Sequence, residues 1–408
     1  MKTTKILSLI AFLLCLTATI KAAEQSIPDN EIHYTSTDGN IVTPYNNTVF
    51  GANLVSNTYE NGQGIITFDG QVTKIGNYAF YDCSSLISIT YPQSVTYIGN
   101  YAFSGCTGIN SLVIPEGVDT IGHNAFTNCG TFSSVHIPNS ITSINGSAFD
   151  ETKIDSLYWN AGKITANPFS TEFGSSLSLL YVSFGDSVHT ILPSFCSYMT
   201  KLSAVDISNS VTTIGSYAFE DCHALTSVTI PSSVTEMGYG TFSGCSSLST
   251  IYANPITPPS LGSSAFANTP LNEVYVQCGS ANAYRSSSWN TYCTNFIEPE
   301  VMYSVKLHSA DTTKGQVVFD QDPSCDNTAI IRAIPSSGYR FTTWNDGVTT
   351  NPRTLLLSQD TTFTANFELM LLDAEYATIC YGESYTWDKN GQTYTEAGSY
   401  TTLTSEGE

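Results

Sequence analysis

A phenylalanine returns along this chain at an almost fixed interval: Phe80, Phe103, Phe126, Phe149, Phe169, Phe195, Phe219, Phe242 and Phe266. The steps are 23, 23, 23, 20, 26, 24, 23 and 24 residues, so the short and long steps in the middle restore the phase. A unit of this length cannot bury its own apolar face, but stacked copies share one continuous core. A helix-pair repeat needs roughly 33 residues or more, so the unit has to be a strand and a return loop.

The other apolar positions keep station with the phenylalanine. Ile-Gly precedes it at Ile75-Gly76, Ile98-Gly99, Ile121-Gly122 and Ile214-Gly215, and a cysteine follows at Cys83, Cys106, Cys129, Cys222 and Cys245. A run of period two comes next, as in Leu225, Val228 and Ile230, closed by Pro231; Pro92, Pro115 and Pro138 close the matching runs. Val95, Val118, Ile141 and Val234 then start the following turn. Alternation marks a strand with one buried face, and proline ends it by removing a ladder donor. Successive strands should line up ~4.8 Å apart as a parallel sheet.

The pattern Ile-Gly-x-x-Ala-Phe-x-x-Cys-x-x-Leu-x-x-Ile-x-Ile-Pro-x-x-Val resembles the BspA-like class of bacterial leucine-rich repeats, found in exported surface proteins. The resemblance implies a β-rich leucine-rich-repeat solenoid of about nine 23-residue repeats across residues 67–297, with a parallel sheet on one face. Residues 163–200 depart from the pattern, lacking Ile-Gly, Ala-Phe and the regular cysteine.

The flanks read differently. Lys2 and Lys5, an apolar run over 6–20 and Lys21-Ala22-Ala23 read as a signal peptide over residues 1–22, with a hydrophobic region too short to span a bilayer comfortably. No later run approaches ~18 consecutive apolar residues, so no membrane span is expected in the mature chain. The net charge is −21, and loss of the signal would leave 11 basic against 35 acidic residues. That balance repels phosphate backbones and excludes nucleic acid as a partner. Only 12% of residues are charged, so Ser, Thr, Asn, Gly and Tyr have to supply the solvated surface.

Residues 23–66 read as an N-terminal β cap, with a hairpin from Ile32 to Tyr45 turning at Asp38-Gly39. At the far end, Val274–Cys278 reads as a last strand, and Ala281–Trp289 as a short helix whose Tyr284 and Trp289 close the core. Glu298-Pro299-Glu300 marks a boundary. The alternating runs of 302–368 resemble the small all-β repeat module of the internalin B-repeat type, usually a spacer in surface proteins. Asn345-Asp346-Gly347 within it reads as a turn, because a calcium loop would need further ligands. Residues 371–408 read as an incomplete β segment or a disordered tail.

No catalytic or cofactor constellation emerges. The six histidines are scattered singly, there is no Cys-x-x-Cys, and Gly240–Gly244 is the repeat's own phenylalanine segment. The repeated cysteines read as packing positions, while Cys278 and Cys293, flanking the cap helix, are candidates for a disulfide. The more informative residues stand two before the proline slot: Thr90, Val113, His136, Tyr158, Ser183, Asp206, Thr229, Tyr252 and Tyr275. They are expected in one outward row. Of these, Thr90, His136, Tyr158, Asp206, Thr229, Tyr252 and Tyr275 form a candidate ligand-contact face, although threonine and tyrosine also simply suit exposed strands. The resemblance implies a secreted or cell-surface protein that mediates protein-protein interaction or adhesion to host or neighbouring-cell macromolecules, with an extracellular protein or glycan as ligand. A glycan-binding accessory role and a purely structural envelope role stand as alternatives, and the oligomeric state stays open.

Overall fold

The computed structural model describes residues 27–166, 179–370, 373–386 and 393–404. The signal segment 1–22 and Phe169 lie outside these residues. The chain divides into two compact units, residues 1–298 and 299–408.

The first unit is a β-solenoid. Its long strands pair in parallel in two runs: Ser111–Val113, Ser134–Ile137, Ser156–Trp159, Tyr181–Phe184 and Ala204–Ile207, then Ser227–Ile230, Thr250–Ala253, Glu273–Val276 and Phe296–Ile297. Alternation does what period two requires. Val135, Ile137, Leu157, Trp159, Val228, Ile230, Ile251 and Val274 are buried, and the residues between them face outward.

A second ladder of two-residue strands accompanies the first. Ile75, Ile98, Ile121 and Ile144 stand in register in one group, and Ile191, Ile214, Met237 and Leu261 in the other. Glycine follows six of these eight residues, all but Ile144 and Ile191, and the tightness of the ladder gives the reason. A Cβ on Gly122 would lie 2.7 Å from the Asn100 and Gly99 backbone of the preceding turn.

Between the ladders the phenylalanines form a column. Phe80, Phe103, Phe126 and Phe149 stack with centroids 5.2–5.4 Å apart, and Phe219, Phe242 and Phe266 at 5.1 and 5.6 Å. The repeat cysteines are free thiols, and they do more than fill space. Cys106, Cys129, Cys222 and Cys245 each donate Sγ–H to a main-chain carbonyl 26 residues back, at 3.0–3.1 Å. Thr152 occupies the same slot, its Oγ1 donating to the Phe126 carbonyl at 2.6 Å.

Both ends of the column are closed. Phe50 and Phe68 pack 5.0 Å apart, and Phe50 meets Phe80 at 5.8 Å. At the other end a helix (Ala281–Arg285) and a 3-10 turn (Ser288–Thr291) bury Tyr284 and Trp289, the latter 5.3 Å from Phe266.

The N-terminal hairpin expected from the sequence is not formed. Strand Glu31–Ser36 pairs antiparallel with Gln63–Phe68 on one edge and Leu86–Thr90 on the other, so no edge remains for residues 41–45. That segment is tied down by side chains instead: the Val42 amide donates to the Tyr34 hydroxyl, which donates to Asn57.

The second unit is all β. Val305–Ser309, Thr361–Leu369 and Tyr339–Trp344 form one sheet; Gly315–Gln321, Thr328–Pro335 and Arg353–Leu356 form another. Ala329, Ile331, Trp344, Leu355 and Phe363 make their core. Asn345-Asp346-Gly347 is a turn, with the Gly347 amide bonded to the Trp344 carbonyl and Asp346 paired with Arg353. Asp373–Ile379 pairs with Gly398–Thr404 beyond it.

Candidate functional site

The inward set of each strand leaves the alternate residues on the outer face, and strand register decides which of them are neighbours. Val113, His136, Tyr158, Ser183 and Asp206 stand opposite one another across five strands. Thr229, Tyr252 and Tyr275 do the same across the next run, followed by Ile297. Thr90 falls in a different place, because its strand pairs antiparallel with the cap and sets Thr90 opposite His33.

The rings in each row rest on one another. His136 and Tyr158 are parallel at 4.2 Å, and Tyr181 meets the Tyr158 ring edge-on at 5.7 Å. Tyr252 and Tyr275 stack at 5.1 Å, with the Tyr275 hydroxyl 3.3 Å from the Glu273 carboxylate. One face of each stacked ring is therefore already covered, and edges and hydroxyls remain for a ligand.

Around His136 and Tyr158 the surface dips into a depression of about 410 Å³. Val113, His136, Tyr158 and Ser183 line it on the strand side, buried Ile137 and Trp159 lie beneath, and Glu116 and Asp186 supply the charge. Burial lowers the His136 pKa, which favours the neutral imidazole at physiological pH. Ser183 Oγ donates to Asp206 at 3.4 Å.

A second aromatic strip was not anticipated. Tyr45, Tyr81, Tyr78, Tyr101 and His123 follow one another at 5.0–5.7 Å. Tyr78 and Tyr101 stand two residues before the repeat phenylalanine and adopt φ of 61° and 55°, as does Tyr217 at 59°. Its sequence signal is the recurrence of tyrosine in that one slot, at Tyr78, Tyr101 and Tyr217.

The candidate bridge between Cys278 and Cys293 is not made. Cys293 is a free thiol turned into the cap, with Sγ 3.6 Å from the Asn295 carbonyl. Cys278 is disulfide-bonded to a different residue. Among the described residues, no group of three or more His, Cys, Asp or Glu is placed to hold a metal ion. No helix among them is long and apolar enough to cross a membrane.

Comparison with known proteins bears on these features. Residues 53–172 and 169–296 match the model of the BspA type leucine rich repeat region, in six copies. Residues 305–370 match a divergent InlB B-repeat domain. No curated protein is matched. A leucine-rich repeat protein from Bacteroides ovatus is 21% identical, with 60% of this chain and 90% of that chain covered and a TM-score of 0.30. A leucine rich cell surface protein from Faecalibacterium prausnitzii is 22% identical, with 57% and 78% covered and a TM-score of 0.27. The leucine rich repeat protein of T. pallidum is 20% identical, with 41% and 71% covered and a TM-score of 0.27.

Proposed function

This chain belongs to the BspA-type leucine-rich-repeat proteins, and we propose that it is exported and binds an extracellular protein through the outer face of its repeat sheet. The observation that carries this reading is the depression around His136 and Tyr158. Rigid aromatic side chains over a shallow hollow, ringed by hydroxyls and a few carboxylates, are what protein recognition surfaces favour. The signal-like residues 1–22 support export.

The test is to immobilise the full chain without residues 1–22 and probe it with extracellular matrix proteins and mucin. The measurement is repeated with His136→Ala and Tyr158→Ala combined, and separately with Tyr252→Ala and Tyr275→Ala. Binding that drops about ten-fold or more in the first pair supports the reading. Binding that survives both pairs unchanged would remove the outer face as the contact surface.

A further inference from the structure

The step from Phe242 to Phe266 is 24 residues rather than 23, and its extra residue can be located. Pro231 and Pro255 each stand 11 residues before their phenylalanines, Phe242 and Phe266. Strand register, however, sets Ala253 opposite Ile230. One residue is therefore inserted between strand end and proline, and it is Asn254. Its amide still donates to the Ile230 carbonyl at 3.0 Å, so the ladder continues through it.

The inserted residue lines a groove of about 710 Å³ where the strands end. Its polar lining is Asn209, Ser232, Thr235, Asn254, Thr257 and Gln277; Val234 and Pro255 lie buried in its wall, and Ile256 supplies the exposed apolar surface. No ionisable side chain is among them, in a protein whose net charge is −21. The Gln277 side-chain amide donates to Asn254 Oδ1 at 3.4 Å. That bond leaves the Asn254 NH2 as a donor and the Gln277 oxygen as an acceptor. Ile256 stands 70% exposed beside them.

The loop Pro255-Ile256-Thr257-Pro258-Pro259 is held from behind by the cap. The buried Tyr284 hydroxyl donates to the Pro255 carbonyl, and Trp289 Nε1 to the Pro259 carbonyl, both at 2.9 Å. Three prolines and two buried hydrogen bonds give a rim that a ligand need not order on arrival.

We propose that this groove binds a neutral oligosaccharide. Amides and hydroxyls match sugar hydroxyls, which both donate and accept. Ile256 offers apolar contact for the C–H face of a ring. The absence of cations from the lining gives nothing to pair with a sulfated or sialylated chain, and the overall charge repels one. A peptide would call for an enclosed apolar pocket to take an anchor side chain, whereas the largest apolar group here projects outward. This inference is independent of the outer-face reading and uses none of its residues.

The test titrates the full chain without residues 1–22 with short cello-, malto-, xylo- and manno-oligosaccharides. Sialylated and sulfated oligosaccharides and a proline-rich peptide serve as comparisons. The readouts are calorimetry and the NMR signals of the Asn254 and Gln277 side-chain amides. At least one neutral sugar should shift those signals at concentrations up to about 10 mM. Asn254→Ala and Gln277→Ala should each weaken that binding about ten-fold, and Ile256→Ala several-fold. Deleting Asn254 restores the 23-residue step and should abolish binding, with a circular dichroism spectrum like that of the parent. The point variants keep the test decisive should the deletion fail to fold. A panel with no neutral ligand, a stronger response to the peptide or the charged sugars, or sugar binding unchanged by Asn254→Ala and Gln277→Ala would each overturn the proposal.

Discussion

The thiol-to-carbonyl bonds make a prediction that separates two roles for one residue. Cys222 is fully buried, and its Sγ lies 3.1 Å from the Cys196 carbonyl. The same carbonyl already accepts the Met199 amide at 3.2 Å, so losing the thiol leaves it half satisfied rather than orphaned. Thr152 shows that the slot accepts a β-branched side chain with a hydroxyl donor. Cys222→Thr and Cys222→Val therefore have nearly the same shape and differ only in the donor. If the slot were a packing position alone, valine would match or exceed threonine, since burying a hydroxyl carries its own desolvation cost. If the bond matters, threonine should be more stable than valine by about 1 kcal/mol, the net worth of an ordinary hydrogen bond. Cys222→Ala should lose about 1–2 kcal/mol by combining the missing donor with a small cavity. Urea midpoints of the full chain, with m-values compared to confirm a common unfolding unit, provide the measurement. A valine variant as stable as the threonine variant refutes the reasoning.

Other outcomes follow from the same core. Phe103→Ala, which removes the ring between Phe80 and Phe126, should cost about 3–5 kcal/mol, read as a lowered urea midpoint. Gly122→Ala forces a Cβ against the preceding turn's main chain and should destabilise by at least ~1 kcal/mol; a neutral result would mean that the short ladder yields easily. Burial lowers the His136 pKa in the folded state. Its stabilising contribution is thus full above the unfolded imidazole value near 6.5 and is lost as pH falls from there through the lowered folded value. The parent should lose more stability than His136→Asn between about pH 7.5 and about pH 5.5, and an NMR titration of the ring should place its midpoint below the ordinary value.

How much of this was legible in the sequence depended on how much signal each feature carries. The phenylalanine column and the inward strand residues repeat many times, and Tyr284 and Trp289 stand out as large apolar residues just past the last strand. Two-residue strands such as Tyr97–Ile98 are too short to show alternation, so the second ladder stayed invisible. The Asp38-Gly39 turn read as a hairpin because local chemistry cannot reveal that both edges of Glu31–Ser36 are claimed by residues 63–68 and 86–90. Thr90 shares its strand pattern with His136 and Tyr158, yet its partner is set by the cap. Cys278 and Cys293 lie close in sequence, but the direction of a thiol is a property of packing. Asn254 illustrates the opposite case: the 24-residue step was visible, and only strand register could identify which residue had been added.

The thiols give the solenoid a set of internal gauges. Cys106, Cys129, Cys196, Cys222 and Cys245 are buried at successive positions along the coil, and burial pushes the Cys129 thiol up to about 12 and Cys83, nearer the surface, to about 11. A thiol in that state reacts with an alkylating agent only when its own turn opens. Each cysteine is thus a clock for one segment, readable by mass spectrometry without any added label site. The order in which they are modified would report where the stack frays first, at the caps or beside residues 163–200, and whether neighbouring turns open together or alone.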